Sequence, residues 1–131
     1  MRILIKGEPR TKKNSQQIIQ VVRGGKTVPG LIQSNQYRGY EEACLWQIPM
    51  ECKQIICMPV NVKCLYFMST RRRVDLSNLL EATDDILVKA RVLDDDKCSI
   101  IAGHDGSRVY YDKDNPRVEI EITPLEWSWE G

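Results

Sequence analysis

The segment Val60 to Met68 (VNVKCLYFM) constrains the fold more than any other part of this chain. It is rich in β-formers and carries apolar residues on both faces toward its end, which marks it as the strongest strand in the sequence. Ser69 to Val74 (STRRRV) follows as a loop holding three consecutive arginines. Asp75 then stands at the N-cap of a helix predicted to reach about Lys89.

The other periodic segments are shorter. Arg2 to Lys6 alternates and reads as a strand, and Gly7 to Ser15 (GEPRTKKNS) as a basic loop. Gln17 to Val22 and Lys26 to Ile32 read as a strand and its return about a Gly24-Gly25 turn. Ser34 can cap a helix through roughly Met50, with an uneven stripe of Tyr37, Tyr40, Ala43, Cys44 and Trp46 to Ile48. Cys98 to Ala102 and Arg108 to Asp112 alternate, and His104-Asp105-Gly106-Ser107 between them is a hairpin signal. Asp114-Asn115-Pro116 is a further turn. Arg117 to Thr123 (RVEIEIT) alternates cleanly, as a strand with one wet face does. The tail from Pro124, with Trp127 and Trp129, has no clear assignment. At 131 residues without repeat or linker, the chain fits a single α+β domain over residues 1–131. Its expected architecture is a mixed or mostly antiparallel sheet packed with two main helices.

The net charge is +1, so no global basic field draws this chain to nucleic acid, and any such binding must come from local patches. No apolar run approaches the length of a membrane span. The N-terminus is too short and too charged for a signal peptide, so no membrane association and an intracellular setting are expected. The five cysteines, Cys44, Cys52, Cys57, Cys64 and Cys98, show no CxxC spacing, and there is one histidine. Buried, reduced thiols are expected rather than a zinc site.

On a helical wheel from Asp75, residues Leu76, Leu79, Leu80, Thr83, Ile86, Leu87 and Ala90 share the stripe that should pack on the sheet. Asn78, Glu81 and Asp85 fall together on another face, with Asp75 near its N-terminal end. Glu81 and Asp85 are like charges one turn apart, a cost of roughly a few tenths of a kcal/mol that Lys89 partly offsets. An acidic helix face is ordinarily a solvated one. Here the arginine run abuts it, Asn78 interrupts it with a neutral oxygen ligand, and Asp94-Asp95-Asp96 follows where the chain can fold back. Partly buried, such a triple needs a cation, because like charges and desolvation both raise carboxyl pKa values. Converging carboxylates suit a hard divalent ion, and guanidinium groups fork onto phosphate oxygens. The combination points to metal-assisted cleavage of a phosphodiester.

Arg72-Arg73, Asp75-Leu76-Ser77-Asn78-Leu79, Asp85 and Val92-Leu93-Asp94-Asp95-Asp96 resemble the RusA family of Holliday junction resolvases. Gly7-Glu8-Pro9 with Lys12-Lys13-Asn14 resembles that family's opening strand and basic loop, and Arg117-Val118-Glu119-Ile120 its last strand. The resemblance covers most of the chain, in order. It implies a small homodimeric endodeoxyribonuclease, often phage- or prophage-encoded, that uses Mg²⁺ (or Mn²⁺) to nick four-way DNA junctions symmetrically in recombination and repair. By position, Asp75 matches the first motif aspartate, Asn78 the motif asparagine, Asp85 the helix aspartate and Asp96 the second of the later pair. Ser77 replaces the second motif aspartate, and Glu81 a lysine four residues beyond it.

Asp75, Asp95, Asp96 and Glu81 are therefore the expected metal-holding and catalytic residues. Lys12, Lys13, Arg71, Arg72, Arg73 and Asn78 are the expected DNA contacts, positioning the backbone without reading bases. The alternative is a branched-DNA-binding protein whose catalysis Ser77 and Glu81 have weakened or abolished. His104 beside Asp105 could serve acid-base chemistry. Followed by Gly106, the two residues are expected instead to be there for the turn.

Overall fold

A computed structural model of the chain describes residues 1–12, 16–33 and 35–131, with the backbone alone described for 16–23 and 26–33. Its elements are β1 (Arg2–Lys6), β2 (Gln16–Arg23), β3 (Lys26–Gln33), α1 (Asn35–Gln47), β4 (Val60–Met68), α2 (Leu76–Lys89), β5 (Ile101–Gly103), β6 (Arg108–Tyr111) and β7 (Arg117–Pro124). Alternation in the sequence becomes a sheet with one buried face. β4 buries Val60, Val62, Cys64, Tyr66 and Met68, β7 buries Val118, Ile120 and Ile122, and β1 buries Ile3 and Ile5. Fully burying side chains of this size contributes roughly 1.5–3 kcal/mol each.

The sheet runs β1-β7-β4, all antiparallel, and the outer edge of β4 pairs in parallel with both β5 and β6. Parallel neighbours cannot be joined by a tight turn, so α2 crosses between β4 and β5 and lies on the buried face. It buries Leu79, Ala82, Thr83, Ile86 and Leu87. Leu76 and Leu80, expected on that stripe, are only half-buried, whereas Ala82, on the opposite flank of the stripe, is buried. β2 and β3 form a separate antiparallel pair. Gly24 and Gly25 both adopt positive φ (57° and 76°) at its turn, the geometry of a two-residue hairpin loop.

α1 buries Tyr37, Tyr40 and Cys44. Its Gln47 side chain accepts from the Lys6 N–H at 2.8 Å and donates to the Lys6 carbonyl at 2.9 Å, covering part of the β1 edge. The helix stops at Gln47 rather than continuing to Met50, because Pro49 disfavours helical backbone just before it. A single 3₁₀ turn, Met50–Cys52, follows. The capping role expected of Ser34 lies outside the described residues.

Two expectations are corrected. Residues 98–100 form a turn rather than a strand, and residues 104–107 do not reverse the chain as a hairpin. β5 and β6 run in one direction along β4, and the intervening loop is a break in a single edge. Asn61 on β4 fills that break: its Oδ1 accepts the Asp105 N–H at 2.8 Å and its Nδ2 donates to the Asp105 carbonyl at 3.1 Å. Ser107 Oγ accepts the Cys64 N–H at 3.0 Å, which re-registers the edge. All five cysteines are free, but Cys57 and Cys98 are exposed rather than buried. Among the described residues, no helix is long and apolar enough to cross a membrane.

Candidate active site

Local backbone geometry builds the site. Glu8 Oε2 accepts the Ser69 N–H at 3.0 Å, which ties the N-terminal loop to the start of the arginine loop. Asp75 occupies the N-cap position with extended backbone (φ −88°, ψ 123°), yet its side chain makes no capping bond as the sequence led one to expect. Its carboxylate instead faces Asn78 Nδ2 at 3.4 Å, a long contact that leaves it largely uncommitted. At the other end of α2, Arg91 takes the left-handed conformation (φ 64°) and stops the helix. Buried Val92 and Leu93 anchor the next residues. Ile56 donates to the Val92 carbonyl at 3.0 Å and Asp94 donates to the Ile56 carbonyl at 2.9 Å, so the acidic triple starts from a fixed backbone.

That anchoring brings Asp96 back to α2. Ser77, Leu80, Glu81 and Asp84 of the helix, with Asp96 and His104, line one shallow cleft of about 250 Å³. Asp95 Oδ1 accepts the Asp96 N–H at 2.7 Å and so stands beside the cleft. Asp75, at the exposed first turn, does not line it.

The helix divides its acids differently from the wheel reading. Asp85 turns away from Glu81, to an ion pair with Lys12 of the N-terminal loop. Lys89 pairs with Glu41 of α1 at 2.9 Å rather than relieving Glu81. Asp84, which the sequence reading left without a role, points at His104, whose Nε2 lies 2.9 and 3.1 Å from its two carboxylate oxygens. Residues 104–107 do form the expected turn, closed by the Ser107 N–H on the His104 carbonyl at 3.2 Å, and the His104 ring has a second role because it crosses to α2. The available signals were the position of Asp84 on the wheel, between Leu80 and Ser77, and the fact that the chain has only one histidine.

Electrostatics tie these acids together. Asp84 is raised above the usual carboxylate range by burial, then lowered in part by His104, with Asp96 and Asp85 raising it further. Asp96 is raised by desolvation, by the Asp95 hydrogen bond and charge, and by Asp85. His104 is raised, chiefly by its bond to Asp84, against an opposing effect of burial.

The cations stand apart from the cleft lining. The Arg71 guanidinium lies 4.5 Å from the centre of the exposed Tyr111 ring. Arg72 and Arg73 are exposed, with no ion pair among the described residues. Lys13 lies outside the described residues. The cleft's oxygen donors are of the type Mg²⁺ takes. Among the described residues, however, no three His, Cys, Asp or Glu side chains stand close enough together to hold an ion as positioned.

Comparison with known proteins gives one clear match. No individually curated protein matches the chain. The family model "Endodeoxyribonuclease RusA" matches residues 6–123, a span running from the end of β1 into β7 and including the arginine loop, α2 and the acidic triple. The chain belongs to the RusA endodeoxyribonuclease family.

Proposed function

We propose that this protein is a divalent-metal-dependent endodeoxyribonuclease that resolves four-way DNA junctions by paired symmetric nicks, in recombination and repair. The observation that carries the reading is the meeting of Glu81 and Asp84 from α2 with Asp96 from the following segment, on the helix that the Arg71–Arg73 loop leads into. Glu81 and Asp96 would hold Mg²⁺ from within the cleft, with Asp75 and Asp95 as the flanking carboxylates. Mg²⁺, or Mn²⁺ in its place, would supply there the positive charge that phosphodiester hydrolysis needs. Arg72, Arg73, Arg71, Lys12 and Lys13 hold the phosphate backbone, and Asn78 holds the Asp75 end of the helix toward it. Contacts of this kind carry shape rather than base sequence.

Paired nicks on a two-fold junction require two sites, so a C₂ homodimer belongs to this reading. A monomeric mass at micromolar protein would contradict that part.

The test is a synthetic four-way junction incubated with the protein across a series of divalent metals. Symmetric nicks are expected with Mg²⁺ or Mn²⁺. Asp75→Asn and Asp96→Asn should each abolish them while junction binding is kept or tightened, since repulsion of phosphate is relieved. Ser77, which lines the cleft where the family pattern carries a carboxylate, favours a second reading: a branched-DNA-binding protein without cleavage. Salt-sensitive binding with no nick under any metal selects that reading.

A further inference from the structure

Of the described side chains lining the acidic cleft, one can carry positive charge, and it is His104. Glu81 and Asp84 face the cleft from α2, Asp96 faces it from the segment after the helix, and Asp105 lies beside the ring on its own loop. Arg108, the nearest cation along the chain, is turned onto the Ser107 carbonyl at 2.7 Å. A phosphodiester entering such a cleft meets carboxylates on both walls, and any hydrogen-bond donor that carries positive charge there is favourably placed.

The ring is held rather than loose. Asp84 occupies Nε2 with both oxygens. The loop that carries it is fixed independently, by Asn61 on both backbone groups of Asp105 and by Ser107 on the Cys64 N–H. The loop does not need the Asp84–His104 pair to stay in place. What the pair adds is a direction for the ring: with Nε2 committed, Nδ1 is the one edge left, and no hydrogen bond among the described residues takes it. The Asp84 bond also favours the doubly protonated ring, in which both nitrogens are donors.

We propose that His104, aimed by Asp84, contacts the substrate in this cleft, donating a hydrogen bond from Nδ1 to a non-bridging oxygen of the phosphodiester held beside Asp96. Asp84 is then a positioning residue, and the proposal rests on the nuclease reading above.

The single histidine makes the test direct. Protein labelled with ¹⁵N is titrated with a four-way junction in metal-free buffer, and the imidazole ¹⁵N signals are followed together with the backbone amides of Arg71 to Arg73. A shift of the Nδ1 signal that saturates with those amides is expected. Amides that shift while the ring does not would overturn the proposal and leave the nuclease reading standing. If neither moves, the DNA-binding reading fails and the proposal with it. In single-turnover cleavage at saturating protein, His104→Ala should be about 100-fold slower, a larger loss than its change in junction Kd, and His104→Gln, which keeps a donor, should recover part of the loss. Wild-type rates from both variants would refute the contact.

Discussion

Tyr66 Oη and Thr83 Oγ1 lie 2.6 Å apart inside the core, and this bond fixes how α2 is rotated on the sheet. Thr83 Oγ1 already donates to the Leu79 carbonyl at 3.0 Å, so Tyr66 is the donor between the two. With Thr83 turned to β4, Asp84 is turned to the β5–β6 edge and Asp85 to the N-terminal loop. The two partners should therefore differ in cost. Tyr66→Phe removes the donor, leaves Thr83 bonded to Leu79, and should cost about 1 kcal/mol. Thr83→Val takes the oxygen acceptor from the buried tyrosine hydroxyl, leaves it the weaker Cys64 sulfur, and should cost about 2 kcal/mol. Urea unfolding of both variants measures the difference, and equal losses would contradict the donor assignment.

Stability should rise as pH falls toward neutrality, and His104 should carry the change. Its folded pKa lies above the ordinary 6.5, so the fold holds the proton more tightly than the unfolded chain does. The resulting stability is fully present below that ordinary value and is lost as pH climbs through the raised one. Asp84 is also raised, by burial, so its contribution is complete below its ordinary 3.8 and is lost as pH climbs through its own raised value. Between about pH 8.5 and about pH 6, the urea midpoint of the wild type should increase on acidification, and that of His104→Gln should stay nearly flat. A variant that keeps the full slope would place the titration elsewhere.

The elements legible in the sequence are those whose partners are dictated by period. β1, β4, β7 and α2 announce themselves because one buried face imposes a repeat of two or of 3.6 residues. The β5–β6 edge was misread because Asp105-Gly106 satisfies a turn locally, whereas its outcome is set by Asn61, over forty residues away. The candidate cleft was half legible for the same reason. Glu81 and Asp96 could be found by charge and spacing, but a wheel has no knowledge of neighbours. It grouped Asp85 with Glu81, when Lys12 draws one away and the cleft takes the other. Asp84 is one more acid on the wheel, and no local signal in the sequence says that the His104 ring reaches it from the turn that follows β5.

DNA affinity should depend on salt through the exposed arginines in particular. Arg72 and Arg73 have no carboxylate partner among the described residues, whereas Lys12 is paired with Asp85. Replacing Arg72 or Arg73 by Ala should lower the slope of log affinity against log salt by about 1 each. Lys12→Ala should lower it less, because phosphate must first displace Asp85. Junction binding measured over a salt series distinguishes these, and an equal slope change for all three would argue that the Lys12–Asp85 pair opens freely in solution.

The placement of His104 ends on a glycine. A methyl group at position 103 would stand 2.9 Å from Asn61 Oδ1, closer than carbon and oxygen tolerate, and that oxygen is the one accepting the Asp105 N–H. Gly103→Ala therefore pushes Asn61 off the Asp105 backbone and loosens the loop that presents His104; water can reach the freed backbone groups, so the cost is about 1 kcal/mol plus the clash itself. Asn61→Ala removes the same two bonds without the clash and should be milder. Since Ser107 still holds the far side of the loop, both variants should fold and bind junction. Their single-turnover rates should fall in the same order as their loss of stability. Normal cleavage by Gly103→Ala, with its stability reduced, would show that the loop's fixed position matters to the fold and not to the chemistry.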